Sequence, residues 1–169
     1  MRIGLGLVLL SLASACRSDG PAEIAATDAA TGPPAASGHV RIVEAPPAGD
    51  VEPIVRDAVD AAKASGGPSD VLLVYVGATW CEPCQRFHHA VERGDLDTTF
   101  PGLTLLEFDL DRDRERLASA RYTSKLIPLF ALPASDGAAS GKQVEGGIKG
   151  EGAVAFIVPR LKALLRPGS

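Results

Sequence analysis

Two rhythms of apolar positions alternate along the chain after residue 50, and their order predicts its elements. From Val51 to Ser65 apolar residues recur at Ile54, Val55, Ala58, Val59 and Ala62, the spacing of one helical face, and Gly66-Gly67-Pro68 closes the segment. Val71-Leu72-Leu73-Val74-Tyr75-Val76 is then an unbroken β-branched and aliphatic run, which predicts a strand covered on both faces in a parallel or mixed sheet. Gln85 to Arg93 returns to the helical period with Phe87, Ala90 and Val91 inward. Leu103 to Leu110 reads as a second buried strand, Arg112 to Arg121 as a charged surface helix, and Pro128 to Leu132 as a third strand opening at a proline. A hairpin turn at Asp136 to Gly141, a last strand at Gln143 to Glu145 and a helix over Gly152 to Leu165 follow. Pro159 predicts a kink or split of that helix at Val158. With a short edge strand at Val40 to Ala45, before Pro46-Pro47, the order is βαβαβαββα: an α/β sandwich of helices around a mixed sheet.

The first fifty residues obey a different pattern. Met1-Arg2, the apolar run Ile3 to Leu12 and the small residues Ala13-Ser14-Ala15 read as a secretory signal over residues 1–15, with a run too short to span a bilayer. Cleavage after Ala15 leaves Cys16 first, and Leu12-Ala13-Ser14-Ala15-Cys16 resembles the bacterial lipobox, whose cysteine receives several acyl chains and so anchors stably. Ala13 stands where that motif usually has a large aliphatic residue, and Ala13-x-Ala15 also fits an ordinary signal peptidase site. The resemblance implies lipidation at Cys16 and an exported domain on a bacterial membrane, facing the periplasm or the exterior. Residues 16–49 then comprise the lipidated end, an Ala/Pro/Gly/Ser-rich tether and the edge strand, and residues 50–169 the folded domain. Some twenty flexible residues reach roughly 25 Å.

Composition narrows the partners. With 46% hydrophobic and 22% charged residues, the chain supports one domain with a real core. A net charge of −4 gives no basic footprint, so nucleic acid is a poor partner. Aromatic residues are only 5%, so the core must be built mainly from Val, Leu, Ile and Ala, and the position of Trp80 beside a cysteine suggests a site rather than the core.

That site is Trp80-Cys81-Glu82-Pro83-Cys84, at a strand-to-helix junction. Of the three cysteines, Cys16 is assigned to the membrane, which leaves Cys81 and Cys84 two residues apart and able to cycle between disulfide and dithiol. A helix N-terminus brings partial positive charge to Cys81, lowering its thiol pKa from about 8.5 and making it the attacking sulfur. Cys84, one turn inside, should be more buried and act as the resolving thiol. Pro83 suits a first helical turn. Glu82 sets negative charge beside Cys81, which favours the disulfide and a more reducing couple.

With these residues the chain resembles the thioredoxin superfamily, whose members carry W-C-x-x-C after a buried strand and a cis proline before a later one. The resemblance spans about residues 50 to 165 and implies a thioredoxin-like three-layer sandwich. It also implies a cis Pro128 preceded by Ile127, whose backbone pairs with an extended substrate, and a Trp80 that shields the disulfide. Three positions depart from the pattern: Tyr75 stands where thioredoxins have a buried Asp, Glu107 where a Lys is common, and Leu129 where a Thr is usual. Glu107 is then a candidate for proton transfer to Cys84, against the plainer reading of an exposed or paired carboxylate. The Glu-Pro dipeptide and the stretch Phe87 to Phe100 look like extracytoplasmic reductases of cytochrome c maturation and membrane electron relays.

The expected function is an extracytoplasmic thiol–disulfide oxidoreductase, in the direction of protein-disulfide reduction. It would be monomeric, would need no cofactor beyond its own cysteines, and would have protein thiols or disulfides and an upstream electron donor as partners. Two other readings stay open: a copper or zinc delivery protein using Cys81, Cys84 and His88, with His89 adjacent, against the plainer reading of both histidines as a solvated helix surface, and a redox-inert binding module of the same fold. The alternating charges of Asp109 to Arg116 read as a solvated helix start.

Overall fold

The structure, a computed structural model, describes residues 38–64 and 71–166. The predicted signal segment, Cys16, the tether and Gly66-Gly67-Pro68 lie outside the described residues. Among the described residues the chain runs β1 (Arg41–Glu44), α1 (Val51–Ala64), β2 (Leu72–Gly77), α2 (Glu82–Glu92), β3 (Thr104–Asp109), α3 (Leu110–Ser119), β4 (Leu129–Pro133), β5 (Ala139–Glu145) and α4 (Ala153–Leu164). This is the order the hydrophobic pattern predicts.

The strands form one sheet in the order β1-β3-β2-β4-β5. β3 lies parallel between β1 and β2, while β4 runs antiparallel to both β2 and β5. The edge strand β1 pairs residue for residue with β3 from Arg41↔Thr104 to Glu44↔Glu107, so the sheet starts ahead of residue 50. β2 is central and every one of its residues is buried, as its unbroken apolar run requires. Side chains of a strand alternate between faces, which divides β2 between two cores. Leu73 and Tyr75 pack with Phe87 and Ala90 of α2 and with Ile157 and Leu161 of α4. Leu72, Val74 and Val76 pack with Val51 and Val55 of α1 and with Leu117 of α3. The result is a three-layer sandwich.

Three details depart from the sequence reading. First, α4 is not split at Val158: it continues through Pro159. Proline removes only the N–H that would serve the Ala155 carbonyl, and both Ala155 and Pro159 lie on the exposed side, where water can replace it. Second, the hairpin turn is earlier and β5 longer than predicted. The Ala134 N–H donates to the Ala138 carbonyl (2.8 Å), and β5 starts at Ala139. Gly137 in this turn has φ 86°, and a Cβ there would lie 2.1 Å from the Glu52 carbonyl oxygen, so only glycine fits. Third, Asp109 to Arg116 is no solvated helix start, because Asp113 is buried. Its carboxylate accepts from Arg112, Arg116 and the Asp109 N–H (2.9 to 3.1 Å). Arg116 continues to the carbonyls of Pro46 (2.6 Å) and Gly49 (3.1 Å), tying the β1–α1 connection to α3.

Candidate redox site

At the end of β2, Gly77 leads through Ala78, Thr79 and Trp80 into Cys81, which is the N-cap of α2. The cap is made by sulfur: the Cys84 N–H points at Cys81 Sγ, 3.3 Å away. Pro83 sits in the first turn, where a missing N–H costs no helical bond. The same turn brings the two sulfurs together, and Cys81 and Cys84 form a disulfide. In this oxidised state both are buried, at 4% and 2% exposure, so the expected difference between an outer and an inner cysteine is slight.

Ahead of β4 the Ile127–Pro128 peptide bond is cis. The Pro128 carbonyl accepts from the Gly146 N–H (2.8 Å), which begins a loop that returns to the site. A Cβ on Gly147 would lie 2.8 Å from Pro83 Cβ and 3.5 Å from Pro128 Cδ. Glycine at 147 therefore lets this loop close on both the helix start and the cis proline. Sequence reading singles out no role for Gly147, because its packing depends on two prolines that are distant in the chain.

The fold is thioredoxin-like. The strand order, the disulfide at the β2–α2 junction and the cis proline ahead of β4 define it. No protein-family model matches the sequence, and no curated protein matches it. Solved structures similar in chain course include thioredoxins. Thioredoxin O1 of Arabidopsis thaliana in its oxidised state is 20% identical, over 76% of this chain and 96% of that one, with a TM-score of 0.42. A poplar thioredoxin h is 21% identical over 77% and 99%, with a TM-score of 0.46. A variant thioredoxin of Halobacterium salinarum is 22% identical over 78% and 95%, with a TM-score of 0.41. At such identities and scores the likeness carries no argument about activity; the assignment of fold rests on the chain's own topology.

The remaining predicted residues fall around the disulfide in different ways. Trp80 is 63% exposed, and its indole N–H donates to Asp111 Oδ2 (2.7 Å) at the start of α3. Leu126 and Ile148 are the other large apolar side chains exposed close to the cis proline and its loop, at 61% and 45%. Glu82 does not stand as a free charge beside Cys81. It is bonded to Arg86, and both its oxygens accept from the Gly150 N–H (3.1 Å). The Arg86 hydrogen bond, followed by that of Gly150, holds its carboxyl below the usual range against the opposing effect of desolvation. Its expected influence on the couple is thus largely compensated.

On the other side of α2, Glu107 of β3 is half-buried and bonded to His88 Nε2 (2.8 Å). The paired-carboxylate reading fits it, and the partner is one that sequence reasoning gave to a metal site or a solvated surface. His88 instead packs on the Tyr75 ring, with centroids 5.6 Å apart, while His89 is exposed and pairs with Glu92. The Glu107 hydrogen bond raises the His88 pKa above its ordinary value, with burial opposing. Beside the pair lies a cleft of about 450 Å³, lined among others by Ala78, Thr79, Cys84, His88, Glu107 and Arg112. Among the described residues no group of three or more His, Cys, Asp or Glu side chains is placed to hold a metal ion.

Tyr75 occupies the position where the buried Asp was expected by resemblance, and it is fully buried. Its ring stacks on Phe130 (5.0 Å), and its hydroxyl lies against Gly77 without a hydrogen-bond partner. Burial, reinforced by the Glu107 charge, pushes the phenol far up, so it stays protonated and takes no proton from a thiol. What the arrangement can carry chemically is exchange between a dithiol and a disulfide.

Proposed function

We propose that the protein is an extracytoplasmic thiol–disulfide oxidoreductase that reduces protein disulfides. The observation that carries this reading is the Cys81–Cys84 disulfide at the N-terminus of α2, with a cis Ile127–Pro128 bond whose proline, like Pro83 of α2, packs against Gly147. In the reduced protein the Cys81 thiolate attacks a substrate disulfide, one substrate sulfur leaves as thiolate, and a mixed disulfide forms. Cys84 then attacks Cys81, the second substrate sulfur leaves, and two electrons have passed to the substrate. An upstream dithiol donor returns them. The exposed Trp80, Leu126 and Ile148, with the Ile127–Pro128 edge, supply an apolar rim for an extended substrate segment.

The direction is supported by burial. Both sulfurs sit within an apolar cluster, which favours a neutral disulfide over a state containing a thiolate and so draws the potential down. Glu82, compensated by Arg86, adds little. Location outside the cytoplasm, with an acylated Cys16 as anchor, rests on the signal-like and lipobox-like pattern of residues 1–16. The test of the activity is turnover of a protein disulfide such as insulin with dithiothreitol as donor. The wild-type chain accelerates it, and Cys81→Ser abolishes the acceleration; equal rates for the two would sink the proposal. Cys16→Ser is expected to release the protein from membranes in cell fractionation, and unchanged partition would remove the anchor.

A further inference from the structure

Exchange needs the resolving cysteine to lose a proton, and Tyr75, buried in the same cluster as Cys84, is a phenol that stays protonated. Another acceptor has to serve Cys84. His88 follows Cys84 by four residues on α2, hence on the same helix face, one turn on. Both side chains line the same cleft, which has room for a bridging water. Glu107, reaching over from β3, holds the Nε2 edge of the imidazole at 2.8 Å. In the tautomer with the proton on Nε2, this bond leaves Nδ1 with its lone pair free to accept, the usual division of labour between a carboxylate and a histidine.

We propose that His88, oriented by Glu107, accepts the proton of the Cys84 thiol as Cys84 attacks the mixed disulfide. The inference rests on the exchange reading given above. In this step the Cys84–Cys81 S–S bond forms and the bond from Cys81 to the substrate sulfur breaks. The substrate sulfur leaves as a thiolate with the electron pair. The proton held on His88 passes to that thiolate or to water. Glu107 is a positioning residue: it touches no reacting atom and acts through the ring it holds.

The surroundings of His88 define what its titration should look like. Glu107 and Asp109 line the cleft from β3, Glu44 from β1 and Arg112 from α3; Tyr75 of β2 packs on the His88 ring, and His89 and Glu92 lie on its own helix. Tyr75 and Arg112 keep their protons throughout the neutral range, since both are shifted upward. Arg112 is moreover committed to Asp113 and Glu44. Glu107 makes the largest contribution to His88, and it raises it. The resolving rate therefore climbs with pH along a limb whose midpoint lies above the ordinary histidine value of about 6.5.

The experiment mixes the reduced full chain, carrying Cys16→Ser so that Cys81 and Cys84 are its two thiols, with dithiobis(nitrobenzoate) in a stopped-flow instrument across a range of pH. The first equivalent of nitrothiobenzoate reports attack by Cys81, and the second reports resolution by Cys84. His88→Gln is expected to leave the first phase within about twofold and to slow the second by about 100-fold at neutral pH, the low end for general acid–base catalysis. It also removes the histidine limb from the pH profile of the second phase. Glu107→Gln keeps the ring but takes away the charge that raises its pKa, so the limb moves to lower pH. A merely structural role for Glu107 would not move that midpoint. His89→Gln leaves both phases unchanged. A second phase with the wild-type rate and pH profile in His88→Gln overturns the inference and leaves the exchange reading standing; a wild-type chain with no first phase would overturn the exchange reading itself.

Discussion

Tyr75 and Asp113 are both buried polar side chains, set on opposite faces of the sheet, and they are treated in opposite ways. Asp113 has every lone pair engaged by two guanidinium groups and a backbone N–H. The Tyr75 hydroxyl has no partner at all among the described residues. A buried charge is tolerable only when fully paired, and the Asp113 network meets that condition while fastening the β1–α1 connection. An orphaned hydroxyl costs stability, and this one sits beneath the redox motif, against Gly77, where aromatic packing fixes the ring. The difference separates architecture from site. The complete network holds the fold, and the incomplete one lies beside the redox motif, where the His88–Glu107 pair stands close by.

The largest effect expected is at Asp113. Replacing it with Ala strands two guanidinium groups and should cost about 3 kcal/mol in urea unfolding, the low end for a broken buried pair because both arginines reach solvent. Burial alone would raise this carboxyl, but the Arg112 and Arg116 bonds outweigh it and hold it below the usual range. A depressed folded pKa contributes stability that is fully present above the unfolded value of about 3.9 and is lost as pH falls through the folded one. The gap between wild type and Asp113→Asn should therefore be constant near neutrality and close only below about pH 4.

Next in size is Gly77→Ala. A Cβ there would lie 2.8 Å from the Tyr75 hydroxyl, an overpacking expected to cost about 1–2 kcal/mol. Since the atom it meets is the hydroxyl oxygen, Tyr75→Phe in the same background should recover most of the loss, and a double-mutant cycle measures how much. The smallest effect is Tyr75→Phe alone, which removes an unpartnered group and should raise stability by up to about 1 kcal/mol. A loss comparable to that of Asp113→Ala would erase the contrast between the two residues.

Much of this was legible in the sequence, and what was not shares one cause. The unbroken run at β2 and the helical spacing of α1 are local patterns, and the order of elements follows from them. Cys81 and Cys84 are local too, and Pro128 was found through the family resemblance. Asp113 was misread because a charge run carries no sign of burial. Its own partners are near in sequence, but Arg116, which holds it, is anchored in turn by the carbonyls of Pro46 and Gly49, some seventy positions earlier in the chain. His88 looked like a surface residue or a ligand, since nothing local reveals that Glu107 of β3 would face it. Glu82 was assigned an electrostatic influence on Cys81 that Arg86 and Gly150 compensate, and Gly150 comes from a loop 68 residues away. Partners across the sheet or the site are what periodicity leaves out.

The central claim is that Cys81 and Cys84 form a reversible couple poised for reduction, and the direct measurement is a redox titration of the purified chain. Equilibration in dithiothreitol or glutathione buffers, with thiols counted at each potential, should give a single two-electron transition near about −270 mV, absent in Cys81→Ser. A pair that stays oxidised or reduced across the whole range would contradict the exchange chemistry, and a reversible midpoint near about −120 mV would contradict the reducing direction.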